Sequence, residues 1–156
     1  VGPKGSGTDV HTDPRGTCAW NALLRGKKLW VLLDPSFSKD QVGEGSNADD
    51  LPSSRWFMGN HLSELIEKYP EKVFIILQQE GDVVFVPPNY YHAVWNLDSL
   101  NVAVTENMIT ESSFRNDCYN KSDDEKLCEF VEDYYGLLDA KQTREWLDRV
   151  LPLLKK

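Results

Sequence analysis

Histidine is scarce in this chain, three in 156 residues, and cysteine is equally scarce. Cys18, Cys118 and Cys128 form no CxxC pair and no zinc-ligand spacing, which excludes a zinc ribbon or a disulfide scaffold. Free thiols fit a reducing compartment, so a nuclear or cytoplasmic location is expected. Basic residues are outnumbered, 17 against 25 acidic, for a formal net charge of −8. Without a basic face, direct binding of RNA or DNA by this segment is not expected. Long-range attraction of a basic protein or peptide is. No apolar run approaches the length of a membrane span, and no basic stretch followed by an apolar one opens the chain. Neither a membrane span nor a signal peptide is therefore read from it.

What remains is one domain's worth of globular chain, 40% hydrophobic and 11% aromatic. A turn-rich lead-in, Gly2 to Gly7, precedes a predicted strand at Thr8–Asp13, closed by Pro14-Arg15-Gly16. Further strands are predicted at Thr17–Leu24 and Lys28–Leu33. In the latter, Lys28, Trp30 and Leu32 share one face. Residues 36–52 are polar and aperiodic and read as an insertion loop. Leu62, Leu65, Ile66 and Tyr69 form a helical stripe, with Asn60 as its cap. Val73–Leu77 reads as a buried strand, followed by a turn at Gly81-Asp82 and short strands at Val83–Pro87, Tyr91–Trp95 and Asn101–Thr105. Short strands without helical alternation argue for a sandwich or barrel. From Ser122 the pattern turns helical, with a capping box at Ser122–Glu125 and a second helix beginning at Asp139.

Chemistry concentrates at the front. His11 and Asp13 are two apart, so on a strand they project from one face as half of a metal site. A third ligand has to come from His61 or His92. His61 falls in the first turn of the predicted helix, near a solvent face, and is rejected; His92 ends an apolar strand and turn. Two imidazoles and a carboxylate leave open positions on a metal, the arrangement that suits non-heme Fe(II). Lys28 opens an otherwise apolar strand and needs an anionic partner. Lys27 should then point outward. Strict alternation places Thr8 opposite to His11, so Thr8 reaches the same cavity only through a bulge. For Asn96 and Asn107, near strand ends, the residues leave substrate and structural roles both open.

The stretch from Gly5 to Trp30, containing Val10-His11-Thr12-Asp13 and Asn21-Ala22-Leu23-Leu24-Arg25-Gly26-Lys27-Lys28, resembles the Jumonji-C (JmjC) oxygenases. So does Gly81 to Leu97, with Phe85-Val86-Pro87-Pro88 ahead of His92. Within that family the chain is most similar to the phosphatidylserine-receptor-like branch of protein lysyl hydroxylases, for which arginine demethylation has also been claimed. The resemblance implies a double-stranded β-helix, or jelly roll, mainly β, spanning 1–110, with a helical C-terminal extension at 111–156. About seven strands are counted where that core has eight, and the chain opens with Val1 inside the metal-bearing block. A longer parent chain with a missing N-terminal part is therefore expected.

The resemblance further implies His11, Asp13 and His92 as iron ligands and Lys28 as the grip on 2-oxoglutarate, with Thr8, Asn21 and Thr105 assisting. Fe(II) and 2-oxoglutarate would be the cofactors and O₂ the cosubstrate, with ascorbate as an aid. The expected reaction is hydroxylation of protein side chains, lysine first, on histone or RNA-processing substrates, with demethylation as a variant. Helices after the barrel imply contacts between two copies of the chain. A catalytically weak JmjC-fold scaffold and a cupin-type isomerase or binding protein stay open as alternatives.

Overall fold

A computed structural model describes residues 1–44 and 53–108, together with Glu145 and Arg149. The chain divides into two compact units, Val1–Met108 and Ile109–Lys156. The expected C-terminal helical extension, with its Ser122 capping box, lies outside the described residues apart from helical Glu145 and Arg149. Cys118 and Cys128 lie outside them too.

In chain order the first unit runs β1 (Gly7–His11), β2 (Cys18–Arg25), β3 (Lys27–Leu33), α1 (Lys39–Val42), α2 (Ser54–Met58), α3 (Asn60–Lys68), β4 (Val73–Gln79), β5 (Val83–Val86), β6 (Tyr91–Asn96) and β7 (Val102–Met108). The strands form two antiparallel sheets, ordered β1-β6-β3-β4 and β5-β2-β7. Consecutive strands cross between the sheets except β3 and β4, which pair with each other, and Trp30, Leu32 and Val94 of one sheet pack with Ala19, Val84 and Val86 of the other. This mainly β architecture is a jelly roll, with seven strands among the described residues.

Period two explains how the four-stranded sheet serves two cores at once. Lys28, Trp30 and Leu32 face the other sheet, while Val31 and Leu33 turn outward and are fully buried beneath the helices, with Phe37, Val42, Trp56, Leu62 and Leu65. Trp56 seals that layer by donating its indole N–H to the Val42 carbonyl at 3.0 Å.

Three local expectations need correcting. Residues 36–44 are not loop throughout: Ser38 caps α1 through a reciprocal capping box with Gln41, and Phe37 and Val42 reach the core. A single helical turn is too short to show periodicity in sequence. Residues 45–52 lie outside the described set. Asn60 is the first residue of α3 rather than its cap, a place taken by Gly59. The apolar run of β4 is mostly exposed, with Phe74, Ile75 and Leu77 at 45%, 54% and 52%, because β4 is a sheet edge among the described residues. Its one fully buried residue is Gln78.

Leu33 has no exposed surface and sits in the helix-covered core. Leu33→Ala should lower the unfolding free energy by about 2–5 kcal/mol. Ile75→Ala should change it by less than about 0.5 kcal/mol. Urea titration followed by circular dichroism measures both; equal losses would contradict this division of the sheet.

Candidate metal centre and its cavity

β1 and β6 pair with Gly7 opposite Trp95, Thr8 opposite Val94 and His11 opposite His92. Three steps along β1 therefore span two along β6, a bulge that sets Thr8 and His11 on the same side. The strand ends at His11, two residues earlier than expected, because Asp13 leads into a 3-10 turn at Pro14–Gly16. Asp13 keeps an extended backbone at φ −63° and ψ 144°, so its side chain still joins that of His11.

The outcome is a cluster in which the ligand atoms of His11, Asp13 and His92 all lie within 4.8 Å of one another. Each imidazole is oriented by a main-chain oxygen: Nδ1 of His11 lies 2.7 Å from the Asp9 carbonyl, and Nδ1 of His92 lies 3.2 Å from that of Tyr90. A carbonyl only accepts, so in the neutral form of each ring Nδ1 carries the proton and Nε2 presents the lone pair. Burial first, and the neighbouring His11 second, push the pKa of His92 below its ordinary 6.5, which keeps that lone pair available at neutral pH. His92 Nε2 and Asp13 Oδ1 stand 3.9 Å apart, too far to hydrogen-bond. Asp13 Oδ2 is sealed from solvent without a hydrogen-bond partner among the described residues.

An orphaned carboxylate oxygen beside two prepared lone pairs is costly unless a cation completes it. This donor set fits a divalent first-row metal such as Fe(II). His61 is not part of it: it lies on α3, beside Asp40, Arg55 and Trp56. It is half-buried, with Nε2 enclosed, rather than near solvent.

Behind the cluster lies a cavity of about 210 Å³. Thr8, Asn21, Lys28, Thr105 and Asn107 supply its polar wall, and Trp30, Val86 and Val94 its apolar one. Lys28 turns inward and Lys27 is exposed. No carboxylate pairs with Lys28 among the described residues. Its Nζ instead donates to Asn96 Oδ1 at 2.8 Å, and burial lowers its pKa from 10.5. An ammonium without a counter-charge in a polar cavity fits an anionic ligand. Thr105 lines the cavity too, but its hydroxyl donates to the Trp20 carbonyl at 2.8 Å and presents lone pairs. Asn107 donates to Thr17 Oγ1 at 3.0 Å. Cys18 is a buried free thiol hydrogen-bonded to the Met108 carbonyl, with its pKa raised chiefly by burial.

Of the two residues flanking Lys28 on this wall, Asn96 was left open between roles from sequence and Gln78 was not singled out. Asn96 stands directly opposite Lys28 across β6, and Gln78 directly opposite it across β4. A signal for Gln78 existed: it continues the inward face of Phe74 and Ile76, where a polar residue needs partners.

A family model described as JmjC domain, hydroxylase, matches residues 1–108. The chain is 38% identical over 114 residues to the bifunctional arginine demethylase and lysyl-hydroxylase psr-1 of Caenorhabditis briggsae, covering 69% of this chain and 28% of that protein. It is 33% identical over 120 residues to the arginine-specific demethylase JMJ22 of Arabidopsis thaliana, covering 74% and 23%. Against the 2-oxoglutarate and iron-dependent oxygenase JMJD4 of Gallus gallus it is 29% identical over 114 residues, covering 70% and 25%. The chain thus spans about a quarter of the length of these relatives.

The geometry sets an expectation for metal uptake. His11→Ala, Asp13→Ala and His92→Ala should each weaken Mn(II) binding by at least about 10- to 100-fold, in line with the loss of a metal-site residue, whereas His61→Ala should leave it unchanged. Calorimetric titration of the four variants measures this. A loss at His61 equal to that at His92 would overturn the cluster.

Proposed function

Because the chain belongs to the JmjC-domain hydroxylases, we propose that it is an Fe(II)- and 2-oxoglutarate-dependent oxygenase acting on side chains of basic protein segments. Lysine hydroxylation is the favoured reaction and arginine demethylation its variant. The single observation that carries this reading is the opening of the His11, Asp13 and His92 cluster onto a cavity whose Lys28 ammonium has no carboxylate partner among the described residues. The substrate assignment is supported by the names of the relatives and by the net charge of −8, which attracts basic peptides.

Iron with 2-oxoglutarate and O₂ supplies the power to oxidise an unactivated C–H bond, which amino-acid side chains lack. The chain's own residues hold and orient. Nε2 of His11, Nε2 of His92 and a carboxylate oxygen of Asp13 are the assigned metal donors, with the Asp9 and Tyr90 carbonyls fixing both rings. Lys28 is assigned the far carboxylate of 2-oxoglutarate, with Asn96 holding its Nζ in place. Asn21 and Thr8 supply further polar contacts, and Thr105 can contribute once its hydroxyl turns from Trp20. Trp30, Val86 and Val94 keep water from the inner wall, which strengthens each charged contact.

The test follows succinate release from 2-oxoglutarate in the presence of lysine- and arginine-rich peptides, with mass spectrometry for a one-oxygen gain. Wild-type chain should oxidise lysine. Lys28→Ala should raise the KM for 2-oxoglutarate roughly 10- to 150-fold with kcat largely restored at saturation. Oxidation confined to Asn or Asp would remove the lysyl assignment, and iron uptake without succinate release would remove the oxygenase.

A further inference from the structure

The cavity contains one polar side chain whose orientation is dictated entirely from behind. Asn21, on β2, is buried and lines the wall beside Lys28. An amide can present either its oxygen or its NH₂, and the hydrogen-bond network around it decides which. Here the network starts from a group that has no choice. The Trp30 indole N–H can only donate, and it donates to Gln78 Oε1 at 2.7 Å. The Gln78 NH₂ must then face the opposite way. Its two N–H bonds are shared among three acceptors, the Asn21 main-chain carbonyl at 2.9 Å, the Asp82 carbonyl at 3.2 Å and Asn21 Oδ1 at 3.3 Å. With Oδ1 facing the Gln78 NH₂ at 3.3 Å, the Asn21 NH₂ has no hydrogen-bond partner among the described residues and is left as a donor at the cavity wall. The reversed amide would set NH₂ against NH₂.

The geometry points to Gln78 as a positioning residue for anion binding, acting through Asn21 and locked by Trp30. It never touches the ligand. It has no exposed surface, and it links the two sheets, reaching from β4 to β2 and to the turn that carries Asp82. The ligand class is a 2-oxo acid or dicarboxylate, whose oxygens accept from the Asn21 NH₂ and from Lys28. This assignment rests on the cosubstrate reading above and adds a residue to it. It also accounts for the one polar side chain wholly buried on β4, where an apolar residue would pack as well.

Gln78→Glu is the informative change. One carboxylate oxygen keeps the Trp30 bond, while the other faces Asn21 Oδ1 and the Asp82 carbonyl, acceptor against acceptor. Asn21 has to turn, and its oxygen then meets the ligand's. Calorimetry with the full chain loaded with Mn(II), titrated with 2-oxoglutarate, should show affinity lower by roughly 10- to 100-fold, the scale of one charge-assisted bond. Mn(II) affinity itself should hold within about twofold. Asn21→Ala should cost a similar factor, and the double variant no more than the worse single one, because both remove the same contact. Additive losses, or a loss confined to metal affinity, overturn the assignment. Should the variant fail to fold, the wild-type chain decides. In the Zn(II)-loaded protein the Asn21 side-chain NH₂ resonances should shift on adding 2-oxoglutarate, and unmoved resonances with a bound ligand overturn it. Wild-type chain that binds no 2-oxoglutarate sinks the oxygenase reading and this assignment together, whereas tight wild-type binding with additive losses sinks the Gln78 role alone.

Discussion

The antiparallel register of β1 on β6 is the constraint from which the site follows. It sets His11 directly opposite His92, with ring centroids 4.2 Å apart. Opposed residues in an antiparallel pair hold their Cβ atoms about 4.5–5.5 Å apart, so a shared metal needs no loop to close over it. A slip by one residue would send one imidazole to the helix-covered face and dismantle the cluster. Gly7 protects this register: a Cβ there would collide with the Val94 carbonyl oxygen, so only glycine lets β1 approach so closely.

From that pairing the inward face of the sheet builds outward in rows. Thr8, Val94, Trp30 and Ile76 stand abreast, as do His11, His92, Leu32 and Phe74, and beside them Asn96, Lys28 and Gln78. The candidate metal donors, the apolar wall and the proposed anion grip are therefore neighbours on one sheet surface, which favours fixed geometry over adaptability. Trp30 joins the rows: its ring stacks over His92 at a centroid distance of 6.3 Å, and its N–H sets the polar network behind. Burial of His92 keeps its imidazole neutral, and half-burial of Lys28 leaves its ammonium short of solvation; each group is incomplete in the way a ligand would remedy.

Much of this was legible in sequence because the relevant signals are local. His11 and Asp13 lie two apart, Lys28 interrupts an apolar strand, and the strand lengths are short and even; each follows from period two or from the cost of burying charge. The bulge at Thr8 could be anticipated because alternation alone would have put Thr8 on the wrong face. What escaped depends on distant packing. The partners of Lys28 are Asn96, 68 positions away in sequence, and by register Gln78, and no local pattern joins them. Exposure of β4 was misread because hydrophobicity reports what a strand can bury, while its place at a sheet edge is set by topology. The single turn of α1 and the Gly59 cap of α3 lie below the length at which periodicity speaks.

The most direct measurement of the central claim is an anaerobic visible-absorption titration of the chain with Fe(II) and 2-oxoglutarate. A weak charge-transfer band should develop only when both are present, at one equivalent each, and should be absent in His11→Ala. A wild-type chain that gives no band, or a His11→Ala variant that gives the same band, would contradict the account.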